Sequence, residues 1–248
     1  MWDPQTLALV AVIFTLAGLM KGLVGFGLPM VAVGLSAATI GLTQAIALML
    51  VPAFATNVWQ AAAGGQFRVL ARRLAPYLVA AGVTIWLSTA LLRTADPAVL
   101  TGGLGLLLIL YAVTTLLGAR FPDPGPNERW LSPVLGLANG AVTGLTGVYV
   151  VVTGPYLQSL GMPRDTLIQA LGIVFVTSTV MLALALSGRS LLPADLGLLS
   201  VAATAPAFVG VWFGQALRRR LSEVVFRRVF LSALAVLGVY LAVRAVIA

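Results

Sequence analysis

The chain contains no cysteine and no histidine. The absence of cysteine excludes disulfides and thiol chemistry, and without either residue type the chain lacks the usual ligands of zinc, haem and iron–sulfur clusters. Acidic residues are also scarce, with 7 in the 248 residues, and the one lysine is Lys21. We therefore expect no metal centre and no cofactor.

Charge as a whole is rare, whereas apolar residues are abundant. Charged side chains make up 9% of the chain and hydrophobic ones 60%, and the mean hydropathy is +1.05. Soluble domains usually carry about 25% charged residues, so the composition excludes a soluble globular protein. Apolar runs recur that reach the roughly 20 residues needed to span a bilayer. The sequence predicts an all-α polytopic membrane protein.

Six apolar segments have the length of a single transmembrane helix. They cover roughly residues 43–63, 74–92, 98–118, 166–186, 195–217 and 224–247. Two further apolar segments, 5–40 and 131–160, are too long for one helix and are interrupted midway by glycines. We expect each of these two to form a hairpin of short helices, or to cross the membrane twice, before three transmembrane helices follow.

The most polar and proline-rich stretch lies near the middle of the chain, at residues 121–130. Clusters of proline and glycine mark loops, so this stretch is expected to link a first half, 1–120, to a second half, 131–248, within one transmembrane domain. Glycines of the first half recur in the second at a constant shift, which indicates a repeat. The matched positions are Gly27 with Gly147, Gly34 with Gly154, and Gly41 with Gly161.

The arginines indicate how the two halves are oriented. If each broken segment returns to its own side or crosses twice, each half makes an odd number of crossings and the halves are inverted. Most arginines then lie on one face, opposite Arg93, Arg189 and Arg244. Because cytoplasmic loops are enriched in arginine and lysine, we expect two inverted repeats with arginine-rich loops inside and both termini outside. This topology explains the net charge of +8 better than nucleic-acid binding does, since no soluble basic face exists.

The glycine-broken segments are the candidate binding elements. They read Gly18-Leu-Met-Lys21-Gly22-Leu-Val-Gly25-Phe26-Gly27 and Gly136-Leu-Ala-Asn139-Gly140-Ala-Val-Thr143-Gly144-Leu-Thr146-Gly147. Broken backbone survives in a membrane only where protein or a water-filled cavity covers it, and paired interruptions in two halves indicate a transporter site. Helix N-termini that follow such breaks carry positive partial charge. The predicted ligand is therefore a small anion.

The same glycines have a second interpretation. In each segment they recur at a four-residue spacing, as in Gly18 and Gly22, which lets membrane helices pack closely. Lys21 favours the functional interpretation, because a lysine inside a membrane is costly and normally faces a cavity or a partner. It is matched by Asn139 in the second segment. Snorkelling of the lysine to a nearby interface is the alternative.

Polar side chains in the helices after the breaks complete the candidate site. Their uncharged donors suit sulfo or carboxyl oxygens, although hydrogen bonding between membrane helices is an equal alternative for each of them. The predicted substrate-binding residues are Lys21, Gly22, Gly25, Gly27, Asn57, Gln60, Asn139, Gly140, Thr143, Gly144, Thr146, Gly147, Gln169, Thr177 and Ser178.

These segments resemble those of the sulfite exporter TauE/SafE family, bacterial permeases for sulfite, organosulfonates and related anions. The likeness covers nearly the whole chain and is carried by the two glycine motifs that begin at Gly22 and at Gly140. The family pattern often has a fuller glycine run followed by proline, whereas here Leu28 separates Gly27 from Pro29. The resemblance implies export of a small sulfur-containing anion, sulfite or an organosulfonate, through the bacterial inner membrane.

Alternating access, with one half rocking against the other, is the expected mechanism. A monoanion that leaves a cell with a negative interior gains about 2.3 kcal/mol per 100 mV, and the acidic residues fall in or beside predicted loops rather than inside spans. The expected partners are the anion and the lipid bilayer, with a homodimer as one possible assembly.

Three other functions are alternatives. The first is a proton- or sodium-coupled permease or importer for another small anion. An intramembrane enzyme is the second. Such an enzyme needs a nucleophile with a base, a metal site or paired acids inside the spans, and the sequence shows none of these sets there. A scaffold without transport activity is the third.

Overall fold

Helices account for nearly all of the chain that the structure describes. The computed structural model describes residues 3–119, 121–218 and 223–247, with the side chains of 223–227 excepted, and this part contains no strand. Two short 3-10 turns cover Thr89–Arg93 and Gly125–Asn127. The α-helices are α1 Pro4–Val24, α2 Leu28–Ile40, α3 Leu42–Ala62, α4 Phe67–Arg73, α5 Ala75–Ser88, α6 Pro97–Leu116, α7 Glu128–Thr146, α8 Val150–Ser159, α9 Arg164–Ser187, α10 Ala194–Arg218 and α11 Glu223–Ile247.

Within the described ranges, 7 helices are long and apolar enough to cross a membrane. They are α1, α3, α5 with the 3-10 turn that extends it to Arg93, α6, α9, α10 and α11. The six single spans that the sequence predicts are confirmed, and α1 adds a seventh. The chain is therefore an all-helical, multi-pass membrane protein.

Both predicted interruptions are confirmed as breaks between helices. The first lies between Val24 and Leu28, and the second between Thr146 and Val150. The leading helices, with 21 and 19 residues, are longer than the short helices that we expected. The trailing helices α2 and α8 have 13 and 10 residues. At 1.5 Å per residue they measure about 20 and 15 Å, too little for a hydrocarbon core of about 30 Å.

Two features at the N-terminal end of α1 fix where this helix starts. The Asp3 carboxylate accepts a hydrogen bond of 2.7 Å from the backbone N–H of Thr6, and Pro4 occupies the first helical position. Both features stabilise a helix start, and the hydrogen bond lowers the pKa of the Asp3 carboxyl. A run of mostly apolar residues then carries the helix to the first break, with Lys21 in its last turn.

Glycines in the left-handed conformation make each break. Gly25 has φ 90° and its N–H donates to the carbonyl oxygen of Lys21 at 2.8 Å, while Gly27 has φ 105° and directly precedes α2. Gly147 has φ 71° and its N–H donates to the carbonyl oxygen of Thr143 at 2.7 Å. Residues with a side chain rarely adopt such positive φ angles. The glycines at these positions therefore allow the two breaks to form.

The chain forms two compact units, each of which takes helices from both sequence halves. The first unit comprises the described residues of Met1–Pro52, Ala95–Ala119 and Leu191–Ala248, and the second those of Ala53–Thr94 and Arg120–Ser190. In the first unit α1 packs along α10 and α6 along α11, and in the second α5 packs along α7. The predicted halves, 1–120 and 131–248, describe a repeat in the chain and stay a prediction.

Backbones meet directly where α1 packs on α10. A Cβ atom added to Gly18 would overlap the carbonyl oxygen of Ala207, and one added to Gly22 would overlap that of Val211. Gly210 faces the carbonyl oxygen of Thr15 in the same way. Small residues at such contacts let membrane helices approach closely, so Gly18 and Gly22 have the packing role that their four-residue spacing indicates.

A proline inside α3 is accommodated by a serine of α10. Pro52 has no N–H, which deprives the carbonyl oxygen of Leu48 of its usual helical donor. The hydroxyl of Ser200 donates to this oxygen at 2.7 Å and accepts a hydrogen bond of 3.1 Å from the N–H of Val51. One side chain in the first unit therefore satisfies two backbone groups at the interruption.

Gly210→Ala is expected to lower the free energy of unfolding by about 1–3 kcal/mol, the usual cost of overpacking. The added methyl group must separate α1 from α10. Gly197→Ala is the matched control in the same helix, because nothing lies within 4 Å of a Cβ atom at that position. Thermal unfolding of both variants in detergent measures the difference, and equal stabilities would contradict the packing role.

Ser200→Ala is expected to cost about 1–3 kcal/mol of stability, because it leaves the buried carbonyl oxygen of Leu48 near Pro52 without a donor. The control is Thr204→Val, one turn further along α10, whose hydroxyl donates only to the carbonyl oxygen of Ser200 in its own helix, at 3.1 Å. Denaturant titration of the purified variants should show the larger loss for Ser200→Ala. A larger loss of stability for Thr204→Val would argue against the role of Ser200 as hydrogen-bond partner of the α3 backbone.

Candidate functional site

Most of the predicted substrate-binding residues lie in the second unit. Lys21, Gly22, Gly25 and Gly27 lie in the first unit. The residues of the second unit are Asn57, Gln60, Asn139, Gly140, Thr143, Gly144, Thr146, Gly147, Gln169, Thr177 and Ser178. The second unit thus holds the uncharged part of the predicted site, and the first unit holds its lysine.

Two buried polar groups on one face of α7 are the strongest sign of a binding site. Asn139 Nδ2 and Thr143 Oγ1 have no hydrogen-bond partner among the residues that the structure describes, and both side chains are 0% exposed. Residues four apart on a helix lie one turn apart on the same face. An unsatisfied buried donor costs about 1–3 kcal/mol. We call Asn139 and Thr143 the donor pair.

A buried chain of hydrogen bonds leads to the donor pair from two other helices. The OH group of Tyr77, in α5, lies 2.7 Å from Thr153 Oγ1, in α8, and this oxygen donates to Asn139 Oδ1 at 3.1 Å. All three side chains are 0% exposed. The sequence analysis missed Tyr77 and Thr153. One feature of the sequence could have indicated Thr153, namely its place in the short segment directly after the second break.

A separate polar contact joins α3 to the second break. Asn57 Nδ2 donates to the OH group of Tyr149 at 2.9 Å, and both side chains are buried. The ring of Tyr149 also packs on that of Phe175 in α9, with 4.6 Å between centroids. Because Tyr149 directly precedes α8, these contacts hold the start of the short helix in place. The substrate contact of Asn57 stays a prediction.

Two glutamines join α3 to α9. Gln60 Nε2 donates to the carbonyl oxygen of Ile168 at 3.0 Å, and Gln169 Nε2 donates to that of Ala61 at 2.9 Å. Gln169 Oε1 also accepts from the N–H of Gln66 at 3.0 Å. Both ends of the Gln169 amide therefore form hydrogen bonds with neighbouring segments. Such bonding between helices is the alternative to ligand binding for the polar residues of these spans. Substrate binding by Gln60 and Gln169 remains untested.

The glycines of the second broken segment face α5. A Cβ atom on Gly140 would overlap the carbonyl oxygen of Ala81, and one on Gly144 would overlap Ser88 Oγ. The Ser88 hydroxyl also donates to the carbonyl oxygen of Gly140 at 3.2 Å. As at Gly18 and Gly22, the spacing serves close packing, and a ligand role for Gly140 and Gly144 stays a prediction.

The remaining predicted hydroxyls bond mainly to nearby backbone. Thr146 Oγ1 donates to the carbonyl oxygen of Val142 at 2.7 Å and accepts from the N–H of Val148 at 3.2 Å, which ties together the break at Gly147. Thr177 Oγ1 donates to its own helix at 3.0 Å. Ser178 is buried beside it in α9. The substrate contacts of Thr146, Thr177 and Ser178 stay predictions.

Lys21 is buried in the first unit. It lies in the last turn of α1 and is 7% exposed, so its side chain is enclosed by protein rather than snorkelling to the surface. A cation at a helix C-terminus is stabilised by the helix dipole. Gly22 packs against α10, while Gly25 and Gly27 form the adjacent break. The enclosure of Lys21 fits both a structural role and a role in attracting an anion.

Acidic side chains lie at or near helix starts in the described ranges, as predicted. These positions are Asp3, Asp96, Asp123, Glu128, Asp165 and Asp195, while the side chain of Glu223 lies outside the described residues. Arg73 forms a bidentate ion pair with Glu128, with N–O distances of 2.8 and 2.7 Å. The hydrogen bonds raise the pKa of the Arg73 guanidinium. The described residues hold no cluster of three acids suited to a metal.

Comparison of the chain with known protein families gives a match over most of its length. The family model described as sulfite exporter TauE/SafE matches residues 10–241, which include both breaks and the donor pair. The chain belongs to the sulfite exporter TauE/SafE family. No curated protein and no solved structure matches it. This TauE/SafE protein is therefore a multi-pass transmembrane transporter.

Thr143→Val in this TauE/SafE protein is expected to leave the melting temperature without added anion unchanged or raised. The change removes a buried hydroxyl that lacks a partner in the described part of the chain, and such groups are costly. Thr89→Val is the control, because Thr89 is equally buried but donates to the carbonyl oxygen of Ile85 at 2.6 Å. Differential scanning measurements should show a melting temperature for Thr143→Val that is no lower than that of Thr89→Val. A marked destabilisation by Thr143→Val would mean that its hydroxyl has a structural role.

Proposed function

We propose that this protein exports a small sulfur-containing anion, sulfite or an organosulfonate, across the cell inner membrane by alternating access. Membership of the sulfite exporter TauE/SafE family supports this class of cargo. The observation that carries the proposal is the donor pair, two fully buried groups on one face of α7 that have no partner among the described residues.

Sulfite and sulfonate groups match the chemistry of the donor pair. Their oxygens accept hydrogen bonds, and bonds from neutral donors to an ionised acceptor are roughly twice as strong as those between neutral groups. An anion that leaves water for a protein interior needs such compensation, because an unpaired buried charge is very costly. Binding would therefore satisfy Asn139 and Thr143 and replace part of the hydration shell of the anion.

Positive charge near the breaks also favours an anion. In the second unit, α8 begins directly after the second break, and its N-terminal end carries positive partial charge. In the first unit, the enclosed Lys21 stands beside the first break, and α2 begins after it. Each unit thus provides one broken element with electrostatic preference for an anion.

The proposed driving force is the membrane potential. A monoanion gains about 2.3 kcal/mol per 100 mV on leaving a cell with a negative interior. Acidic side chains of the described chain lie at or near helix starts, which supports export without proton coupling. A long helix, a break, a short helix and another long helix occur in this order twice, in α1–α3 and in α7–α9. This order supports a repeat, and the arginine distribution supports an inverted one with cytoplasmic arginine-rich loops.

The decisive measurement is sulfite and sulfonate flux in proteoliposomes under an imposed potential, at fixed pH and sodium. Flux should reverse when the potential is reversed. Asn139→Ala and Thr143→Val should each weaken apparent affinity by about tenfold, the equivalent of one hydrogen bond to a charged ligand.

Thr89→Val serves as the control and should transport like the wild type. Absence of sulfite and sulfonate flux in the wild-type protein under either potential would refute the proposed function. Flux that follows a proton or sodium gradient and ignores the potential would support a coupled permease instead.

A further inference from the structure

We propose that Tyr77 and Thr153 are positioning residues that orient the Asn139 amide with its N–H groups toward the ligand, which makes the site selective for groups whose oxygens are all acceptors. The proposal rests on the proposed function, because it concerns selection at the same site. Neither positioning residue has to touch the anion. Both act through the amide of Asn139.

The hydrogen-bond chain has only one consistent direction. A threonine hydroxyl carries one proton, and Thr153 uses it to donate to Asn139 Oδ1. The contact of 2.7 Å between Thr153 Oγ1 and the Tyr77 OH group must therefore use the proton of Tyr77. Donation runs from Tyr77 to Thr153 to Asn139, and it ends on the only acceptor of the amide. Both protons of Asn139 Nδ2 remain for another group.

Rotating the amide by half a turn would break this arrangement. Asn139 Nδ2 would then donate to Thr153 Oγ1, and Asn139 Oδ1 would take the place that Nδ2 now occupies. One hydroxyl proton, on Thr153 or on Tyr77, would lose its acceptor in the described part of the site. A stranded buried donor costs about tenfold or more in the equilibrium between the two orientations. The Thr153 proton therefore holds the amide in its present orientation, and Tyr77 acts through the Thr153 hydroxyl to which it donates.

Close packing holds the first member of the chain in place. The ring of Tyr77 stacks on that of Tyr156, with 5.2 Å between centroids and 9° between planes. The backbone of Tyr77 lies against Gly136 of α7, where a Cβ atom would overlap its carbonyl oxygen. The direct contact between α5 and α7 at Gly136 thus brings the phenol within reach of α8. The orientation of the amide depends on this packing.

The chemical consequence is a site that offers donors only. The amide of Asn139 presents N–H groups, and Thr143, one turn away, can add its hydroxyl proton. A sulfonate satisfies them with its oxygens. A sulfonamide has nearly the same shape but is neutral and carries an N–H₂ group, so it brings one fewer acceptor oxygen and places donors against donors. Its lack of charge acts alike in every variant, and the change in preference between variants reports the orientation of the amide. Unpaired polar groups of this kind give strong discrimination between close analogues.

The test compares binding of methanesulfonate and methanesulfonamide to the purified protein by calorimetry. The wild type should prefer the sulfonate. Thr153→Val should weaken sulfonate binding by about tenfold and reduce the preference, because the amide becomes free to rotate. Thr153→Ser keeps the hydroxyl and should restore both values. Tyr77→Phe leaves the Thr153 proton on Asn139 Oδ1 and should therefore shift both values less than Thr153→Val does, and Thr89→Val should change neither.

A double mutant separates positioning from general packing. If Thr153 acts through the amide, Thr153→Val should cause no further loss of sulfonate affinity in an Asn139→Ala background. An additional loss there, or an equal loss in Thr153→Ser and Thr153→Val, would overturn the positioning role. Should Thr153→Val fail to fold, Thr153→Ala, which also removes the hydroxyl, takes its place in the comparison.

The outcomes distinguish this inference from the proposed function. Sulfonate binding by the wild type with unchanged affinity and preference in Thr153→Val would overturn the positioning role and leave the proposed function intact. Absence of binding of both sulfite and methanesulfonate by the wild-type protein would overturn both.

Discussion

Inside a membrane, the backbone N–H and C=O groups of a polypeptide must find hydrogen-bond partners without water. The rest of this structure depends on how the chain provides these partners where its helices are interrupted. At the second break, the N–H of Gly147 bonds back to α7, and the Thr146 hydroxyl bonds backbone on both sides. At Pro52, the hydroxyl of Ser200 supplies the bond that proline removes. Each interruption is therefore a stable feature, not a local defect.

Close backbone contact is the second consequence of the same environment. Lipid offers little hydrophobic drive for helix association, so helices associate through small residues that let them touch. In the first unit Gly18 and Gly210 have this role between α1 and α10, and in the second Gly136 and Gly140 have it between α5 and α7. The contact at Gly136 also places Tyr77 where its hydroxyl reaches Thr153. The contact between α5 and α7 at Gly136 thus both packs the two helices and positions the Tyr77 hydroxyl.

The candidate site shows how far prediction from sequence could reach. Asn139 and Thr143 were predicted, because they lie in a glycine-rich segment whose interruption is visible in the chain itself. Tyr77 and Thr153 were not, because their importance comes from a hydrogen-bond chain between residues that are distant in sequence. Gln169 was also predicted from its place within a span, and the structure adds that both ends of its amide bond to groups near the end of α3, while its ligand role stays a prediction.

The sequence by itself determined that the chain is all-helical and multi-pass, where the spans lie and where two helices break, because run length and glycine content act within a few residues along the chain. It also indicated the family. Tertiary structure decided that the leading helices pack on α10 and α5, that each compact unit draws on both halves, and which buried donors have no hydrogen-bond partner in the described part of the chain. These properties depend on which surfaces fit together and on the direction of individual hydrogen bonds, and no local pattern in the chain encodes them.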